Sequence, residues 1–130
     1  MIVLDTHVVV WLLSDSARLS GTARDAILQA RLNREPLGYS LVTIYEISHA
    51  ASRKRLPLAS RVGEFVAALE SKLVGIQLTS DIARRAAALP EPFHGDPMDR
   101  LIAATALAQD CALITCDARI RSANVCKTIW

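Results

Sequence analysis

Cysteine, aromatic residues, glycine and proline are all scarce in this chain of 130 residues. The three cysteines form no C-x-x-C pair, and all lie near the C-terminal end, at Cys111, Cys116 and Cys126. So few cysteines in that arrangement predict neither a disulfide framework nor a zinc site. With five glycines and five prolines, the chain is not collagen-like or linker-like either. We expect buried thiols in a reducing cytosol, and therefore a cytoplasmic protein.

Long apolar runs are also absent. The chain is 52% apolar and only 22% charged, which excludes an intrinsically disordered protein. No apolar run approaches the roughly 18 residues of a membrane span, and the first residues show no basic signal segment. We therefore expect one globular domain over residues 1–130, without a membrane partner.

Short apolar runs alternate with helical patterns along the chain. Strands are predicted at residues 1–4, 37–41, 74–78, 112–115 and 125–128. Helices are predicted at residues 8–13, 23–32, 43–55, from Ser60 onward, 79–89, 97–109 and 118–122. Because the strands are continuously apolar rather than alternating, they indicate a parallel sheet buried on both faces. The predicted architecture is a three-layer α/β/α domain with a short central sheet of four to five strands.

Four acidic residues occupy positions where such a sheet places its functional site. Asp5 directly follows the first strand, and Asp117 directly follows the fourth. Asp99 lies in the first turn of the helix before that fourth strand, and Glu46 lies near the start of the helix after the second. Parallel sheets carry their sites at the carboxyl ends of the strands. Clustered carboxylates repel one another, so this grouping favours a site for Mg²⁺ or Mn²⁺.

Each acid also has an ordinary structural explanation. Asp5 and Asp117 are both suitable N-cap residues for the segments that follow them. Glu46 stands three residues after Thr43, which is the spacing of a capping box. Asp99 favours the positive end of its helix macrodipole, where Asp96 is the expected N-cap. The combination of all four acids at sheet-edge positions makes a site the better interpretation.

Several stretches of the chain resemble the PIN domain family, and more narrowly its VapC-type toxins from bacterial toxin–antitoxin pairs. The resemblance covers the full chain and rests on IVLDTH at 2–7, SLVTIYEI at 40–47, HGDPMDRLIAA at 94–104 and LITCD at 113–117. The HGDPMDR stretch is the most specific of these. Tyr45 stands where this group often has tryptophan, and Lys54 where it often has glycine.

The resemblance implies a metal-dependent endoribonuclease that hydrolyses RNA phosphodiester bonds and leaves a 5′-phosphate and a 3′-hydroxyl. It places Asp5, Glu46, Asp99 and Asp117 in an acidic quartet that is both catalytic and metal-binding. Thr115 matches a supporting threonine of the family, and Thr6 and Asp96 are further supporting candidates. The implied cofactor is Mg²⁺ or Mn²⁺, and the implied partners are an RNA substrate, a cognate antitoxin and a second copy of the chain.

Three other interpretations stay open. A catalytically silent binding domain would keep the fold without the chemistry. A haloacid-dehalogenase-type phosphatase also begins with an Asp after its first strand but needs a second Asp two residues later, where this chain has His7. A receiver-like signalling domain would need an acceptor Asp after the third strand, where Asp81 instead marks a helix start.

We expect no catalytic role for two further residues near the acids. His94 lies in a loop rich in proline and glycine and is expected to be solvated. Arg100 is expected to hold the neighbouring carboxylates or its own helix rather than to contact RNA.

The charge balance looks different once the acids are placed. The formal net charge is only +2, which alone suggests no strong attraction to nucleic acid. If the quartet gathers around metal, nine acids remain against fifteen basic residues, a formal charge of +6 outside the site. Basic clusters occur at Arg53-Lys54-Arg55, Arg84-Arg85, Arg119, Arg121 and Lys127. Such a distribution is compatible with a nucleic acid backbone.

Overall fold

A computed structural model describes residues 1–57, 61–91 and 93–130. Within these residues, five parallel strands form one sheet in the order β3-β2-β1-β4-β5. The strands are β1 (Ile2–Leu4), β2 (Leu37–Ser40), β3 (Val74–Ile76), β4 (Ala112–Ile114) and β5 (Thr128–Ile129). The helices are α1 (Thr6–Leu13), α2 (Gly21–Leu32), α3 (Val42–Ser52), α4 (Val62–Lys72), α5 (Ser80–Ala87), α6 (Pro97–Ala108) and α7 (Ala118–Ala123).

The two central strands explain the three layers. Val3 pairs with Leu113 and Leu4 pairs with Ile114 in the parallel register of β1 and β4. Because successive side chains of a strand point to opposite faces, the first pair packs into one core and the second into the other. The core containing Leu4 and Ile114 is built with α1 to α4, and the core containing Val3 and Leu113 with α6 and α7. The predicted parallel sheet and three-layer α/β/α fold are confirmed.

Local signals place most helix starts correctly. Ser20 caps α2, Thr79 caps α5 and Asp96 caps α6, each accepting a backbone N–H from its own first turn. Pro97 occupies the first turn of α6, where its missing N–H costs nothing.

Several boundaries differ from the prediction: α1 begins at Thr6 rather than at residue 8, α3 ends at Ser52 rather than at residue 55, and β3 ends at Ile76 rather than at residue 78. The last strand lies at Thr128–Ile129, so residues 125–127 are not part of it. Helix α3 starts at Val42 with Leu41 as its N-cap, and no side chain caps it. The capping box between Thr43 and Glu46 does not form, because Thr43 is already inside the helix. The predicted helix start at Ser60 lies outside the described residues.

In the part of the chain that the structure describes, no helix is long and apolar enough to span a bilayer.

Candidate metal centre

Asp5 and Asp117 lie at the carboxyl ends of the two neighbouring central strands. The Asp5 backbone N–H donates to the Ile114 carbonyl at 3.0 Å, which joins the end of β1 to the end of β4. The Asp5 side chain is only 3% exposed. One of its oxygens accepts the Thr6 N–H at 2.7 Å, and the other accepts the Thr115 hydroxyl at 2.6 Å. Sheet pairing therefore holds this buried carboxylate in one orientation.

The Thr115 hydroxyl joins the two acids. It donates to Asp5 and accepts the backbone N–H of Asp117 at 3.0 Å. Asp117 then caps α7, accepting the Arg119 N–H at 2.7 Å. The predicted capping role of Asp117 is therefore real, and it leaves the other carboxylate oxygen directed elsewhere, toward the Arg119 side chain.

Asp99 is brought to the same place by α6. Asp96 accepts the N–H groups of Met98 and Asp99, which fixes the start of the helix. Asp99 Oδ2 lies 3.4 Å from the Arg119 guanidinium and 3.3 Å from His94 Nε2. Hydrogen bonds to its own helix account for Asp96.

Glu46 approaches from α3. Its carboxylate accepts a short hydrogen bond from the Thr6 hydroxyl, which also pairs with the Thr43 hydroxyl at 3.0 Å. Thr6 and Thr43 therefore bind α1 to α3 beside the Asp5 carboxylate. Thr43 serves this interhelix contact rather than a helix cap.

Burial and mutual repulsion perturb three of the four carboxyl groups. Desolvation raises the pKa of Asp5, Glu46 and Asp99 above their usual range. Repulsion from neighbouring carboxylates adds to this, and it helps to raise the pKa of Asp99 to about 6. The pKa of Asp117 is lowered instead, because the Arg119 side chain donates to its carboxylate. Such a cluster is costly without a cation.

The arrangement can accept a metal ion. His94, Asp99 and Asp117 each offer a ligand atom, and the three atoms lie within 4.8 Å of one another. The guanidinium of Arg119 contacts both Asp99 and Asp117, so a positive charge already sits between these two acids. The carboxylate oxygens of Asp99 and Asp117 are ligands of the kind that Mg²⁺ or Mn²⁺ takes, whereas an imidazole such as that of His94 is more typical of other divalent transition metals.

Two residues of this centre behave differently from the expectation. The side chain of His94 is only 16% exposed, and neither ring nitrogen has a hydrogen-bond partner among the described residues. The expectation of a solvated His94 is therefore wrong, because the loop folds it against the Phe93 ring and Asp99. Its position five residues before Asp99 in HGDPMD is the signal that would have found it. The sequence places Arg119 in a basic cluster and gives no sign of its contact with Asp99 and Asp117.

Arg100 does not contact the carboxylates. Its guanidinium donates to five backbone carbonyl groups, those of Ala86, Ala87, Leu89, Phe93 and His94. It thereby holds the segment between α5 and α6. Of the two roles expected for Arg100, the contact with acids is wrong.

The basic clusters are partly neutralised. Arg84 and Arg85 both pair with Asp81 on the same helix. Arg119 pairs with Asp99 and Asp117 although its side chain is exposed. Helix α5 therefore contributes less free positive charge around the centre than the sequence suggests.

Parallel-sheet topology and converging carboxylates define an α/β domain with an acidic cluster at one sheet edge. A family model described as "PIN domain" matches residues 2–125, and the chain belongs to the PIN domain family. Ribonuclease VapC22 of Mycobacterium tuberculosis (strain ATCC 25618 / H37Rv) is 36% identical over 131 aligned residues, which cover 99% of this chain and 98% of that protein. The resemblance to VapC-type members of the family is thereby confirmed.

Solved structures share the fold. VapBC2 from Rickettsia felis, bound to a promoter DNA fragment, has a TM-score of 0.74 at 16% identity, covering 98% of this chain and 97% of that one. A toxin–antitoxin complex from Klebsiella pneumoniae has a TM-score of 0.69 at 23% identity, covering 100% and 97%. At these identities the likeness concerns the fold alone.

Proposed function

We propose that this protein is a metal-dependent endoribonuclease and the toxin of a toxin–antitoxin pair. The observation that carries the proposal is the convergence of Asp5, Glu46, Asp99 and Asp117 at one edge of a PIN-family sheet. The 36% identity to a ribonuclease of the VapC type supports it over nearly the whole chain.

Asp5, Asp99 and Asp117 would hold Mg²⁺ or Mn²⁺, with Glu46 binding metal or positioning the attacking water. When bound, the metal supplies Lewis acidity toward the phosphodiester and a lower pKa for bound water. Burial raises the pKa of Glu46, which suits a group that accepts a proton from the attacking water. Thr115 and Thr6 are positioning residues, since each holds a carboxylate through a hydroxyl hydrogen bond.

The other interpretations receive no support from the site. The position that a dehalogenase-type phosphatase needs for its second Asp holds His7, which is exposed and lies against Trp11 with ring centroids 5.8 Å apart. A silent binding domain gives no reason for four acids from separate elements to approach one sheet edge.

Partners follow from the same family. We propose a small antitoxin that covers the acidic cleft, because structural relatives of this fold are toxin–antitoxin complexes. We also propose a homodimer and a cytoplasmic location on the same ground. Whether a short neighbouring gene encodes a DNA-binding antitoxin is the observation that tests the pairing.

The test of the chemistry uses the Asp5→Asn variant. We expect it to lose metal-dependent RNA cleavage by at least about 100-fold, because several kcal/mol of charge stabilisation disappear with the ligand. Asp25→Asn, which removes the same charge from the exposed face of α2, is the matched control and should cleave normally. Sequencing the RNA ends should show 5′-phosphates. Full cleavage by purified Asp5→Asn protein would refute the proposal.

A further inference from the structure

Two of the three cysteines lie at the amino ends of neighbouring strands. In the parallel register of β4 and β5, Leu113 pairs with Thr128. The Leu113 N–H donates to the Lys127 carbonyl at 2.9 Å, so the two segments are already paired one residue before β5 begins. Cys126 follows Cys111 at the same separation along the chain as Thr128 follows Leu113. The register therefore places the two cysteines opposite each other.

Both thiols lie on the same side of the sheet. Side chains two residues apart on a strand share a face, so Cys111 lies on the face of Leu113 and Cys126 on that of Thr128. Accordingly, both cysteines pack against the core built with α6 and α7. Neighbouring strands are about 4.8 Å apart. Disulfides join Cα atoms about 4.4 to 6.8 Å apart, so the pair has the spacing that a disulfide needs.

Small molecules in solution can reach both sulfur atoms. A cavity of about 540 Å³ opens at this end of the sheet, and both cysteines line it together with Met1, Glu35 and Lys127. Both cysteines are free thiols, and each is partly exposed. Cys111 and Cys126 are therefore less buried than the sequence predicts.

The pair does not belong to a larger group of metal ligands. Among the described residues, the one group of three ligand side chains close enough to hold an ion is that of His94, Asp99 and Asp117. That group lies at the opposite edge of the sheet. Structural zinc sites in proteins take four ligands. Two neighbouring thiols by themselves therefore fit a disulfide better than a metal ion.

We propose that Cys111 and Cys126 are a site of reversible disulfide formation, which joins β4 to β5 when the protein meets an oxidant of the disulfide class such as oxidised glutathione. In a reducing compartment the pair stays as two thiols. This inference does not rest on the proposed ribonuclease function, because the pair lies at the amino ends of the strands and the four acids lie at the opposite edge.

The bond forms by two successive thiol–disulfide exchanges. One protein thiol loses its proton and attacks a sulfur atom of oxidised glutathione, which gives a mixed disulfide and releases one glutathione thiol. The second protein thiol then loses its proton and attacks the protein sulfur of the mixed disulfide, and the other glutathione leaves as a thiol. The protein is oxidised by two electrons and loses two protons, while the S–S bond of the oxidant is reduced to two thiols.

This exchange is expected to be slow. Burial raises the pKa of Cys111, and burial followed by the charge of the neighbouring Cys111 raises the pKa of Cys126. Little thiolate is therefore present at neutral pH, and the thiolate is the attacking species. The measurements below are accordingly made at equilibrium rather than as rates.

The disulfide would enclose a segment that carries part of the metal centre. Residues 112–125, between the two cysteines, include β4, Asp117 and all of α7. Cross-linking the ends of such a segment restricts the unfolded chain and so favours the folded state. We therefore expect the oxidised protein to resist unfolding more than the reduced protein does.

The first experiment maps the bond. The purified full chain is brought to equilibrium with oxidised glutathione, and the remaining thiols are blocked with iodoacetamide. Trypsin separates residues 101–119, which hold Cys111 and Cys116, from residues 122–127, which hold Cys126. We expect mass spectrometry to find these two peptides linked in the unaltered chain and in Cys116→Ser, and unlinked in Cys111→Ser. Cys116 is the matched control because it lies just beyond the opposite end of β4.

Stability gives an independent measurement. We expect oxidation to raise the melting temperature of Cys116→Ser by about 5 to 10 °C, the effect of closing a loop of this length. The same treatment should change that of Cys111→Ser by less than about 1 °C. At one fixed ratio of oxidised to reduced glutathione, the folded chain should hold a disulfide-to-dithiol ratio at least about 10-fold higher than the chain in concentrated urea.

Each outcome supports or overturns the inference. Unlinked peptides in the unaltered chain, linked peptides in Cys111→Ser, or glutathione retained on separate cysteines would overturn it. The same holds for a disulfide that is no more abundant in the folded chain than in the unfolded one, and for an equal rise in the melting temperature of Cys111→Ser. None of these experiments measures RNA cleavage, so failure of the ribonuclease proposal leaves this inference unaffected.

Discussion

Thr115 shows how a single uncharged residue organises the candidate metal centre. Its side chain is fully buried, and its hydroxyl donates one hydrogen bond and accepts another. As a donor it orients the Asp5 carboxylate, and as an acceptor it binds the Asp117 amide. Two acids from different strands are thereby held in register by one oxygen atom.

Replacing this hydroxyl should weaken metal binding without removing a ligand. Thr115→Val keeps the shape but leaves Asp5 without one hydrogen-bond partner and the Asp117 amide without an acceptor. We expect a loss of about 10- to 100-fold in affinity for Mn²⁺, the usual effect of removing a partner that orients a ligand. Isothermal titration calorimetry measures it.

The matched control is Thr105→Val, which removes another fully buried threonine hydroxyl. That hydroxyl donates to Ser40 and Leu101 and contacts none of the four acids. Thr105→Val should therefore cost stability but not metal affinity. Equal Mn²⁺ affinity in Thr115→Val and the unaltered protein would show that the bond to Asp5 has no orienting role.

Arg119 is the second informative residue. Its guanidinium contacts Asp117 at 2.8 Å and Asp99 at 3.4 Å, yet its own side chain is 62% exposed. An exposed arginine moves at little cost, so it can leave the acids when a metal ion takes its place. The hydrogen bond from the Arg119 side chain is the largest cause of the lowered pKa of Asp117.

At the scale of elements, Arg100 ties the described residues between α5 and α6 to both helices. Five carbonyl groups accept from its guanidinium, and the Phe93 ring lies 5.6 Å beneath it. This segment carries His94 to the metal centre. Arg100 is therefore a structural residue, and its replacement should also displace His94 at the metal centre.

Arg100→Met should destabilise the domain by about 2 to 4 kcal/mol. The methionine keeps apolar contacts but leaves several carbonyl groups without a donor, and each hydrogen bond to a charged group contributes about 1.5 to 3 kcal/mol. Chemical denaturation measures the free energy of unfolding. Arg84→Met, which removes an exposed arginine from α5, should change it by less than about 0.5 kcal/mol. A similar small change in Arg100→Met would mean that the segment is held by other contacts.

Helix α3 shows where local sequence spacing fails as a predictor of structure. The Thr43–Glu46 spacing predicts a capping box, but α3 begins at Val42 and the two side chains turn to Thr6 instead. Thr6 belongs to α1, about forty residues away in sequence. Local spacing cannot report a partner that only packing of two helices supplies.

At the scale of the whole molecule, crowded carboxylates make stability depend on pH and on metal. In the metal-free protein the pKa of Asp99 is about 6, above its usual 3.8. Between these values the folded state binds a proton that the unfolded state has released. The free energy of unfolding should therefore fall as pH rises from about 4 to about 6, and stay lower above it.

We expect this fall to be about 1 to 3 kcal/mol, with Asp5 and Glu46 acting in the same direction because their pKa values are also raised. Urea denaturation in EDTA across that pH range measures it. Asp99→Asn should flatten the profile and be more stable than the unaltered protein at pH 7. A drop in metal-free stability in Asp99→Asn would instead identify Asp99 as a structural cap.

Bound metal should offset the loss of stability that the metal-free protein shows as pH rises. An ion that binds only the folded state stabilises it by RT ln(1 + [L]/Kd), so the melting temperature rises with its concentration. The formal net charge of the chain is only +2, so the clustered acids, and not the overall charge, should govern this dependence on pH and metal.

The alternation of short apolar runs with helical patterns was enough to predict a parallel three-layer sheet, because buried strands must be apolar on both faces. The order of the acids along that pattern was enough to place them at one sheet edge, because parallel strands end on the same side. Helix ends and the last strand were less predictable, since competing local signals differ by little free energy.

Contacts between distant segments were decided only by the tertiary fold. The approach of His94 to Asp99 and the contact of Arg119 with two carboxylates both depend on how separate segments of the chain pack together. Spacing along a chain reports a residue's own helix or strand. The side chain it meets across a core or a cleft is determined when those elements come together, and that is where the electrostatics of this centre arise.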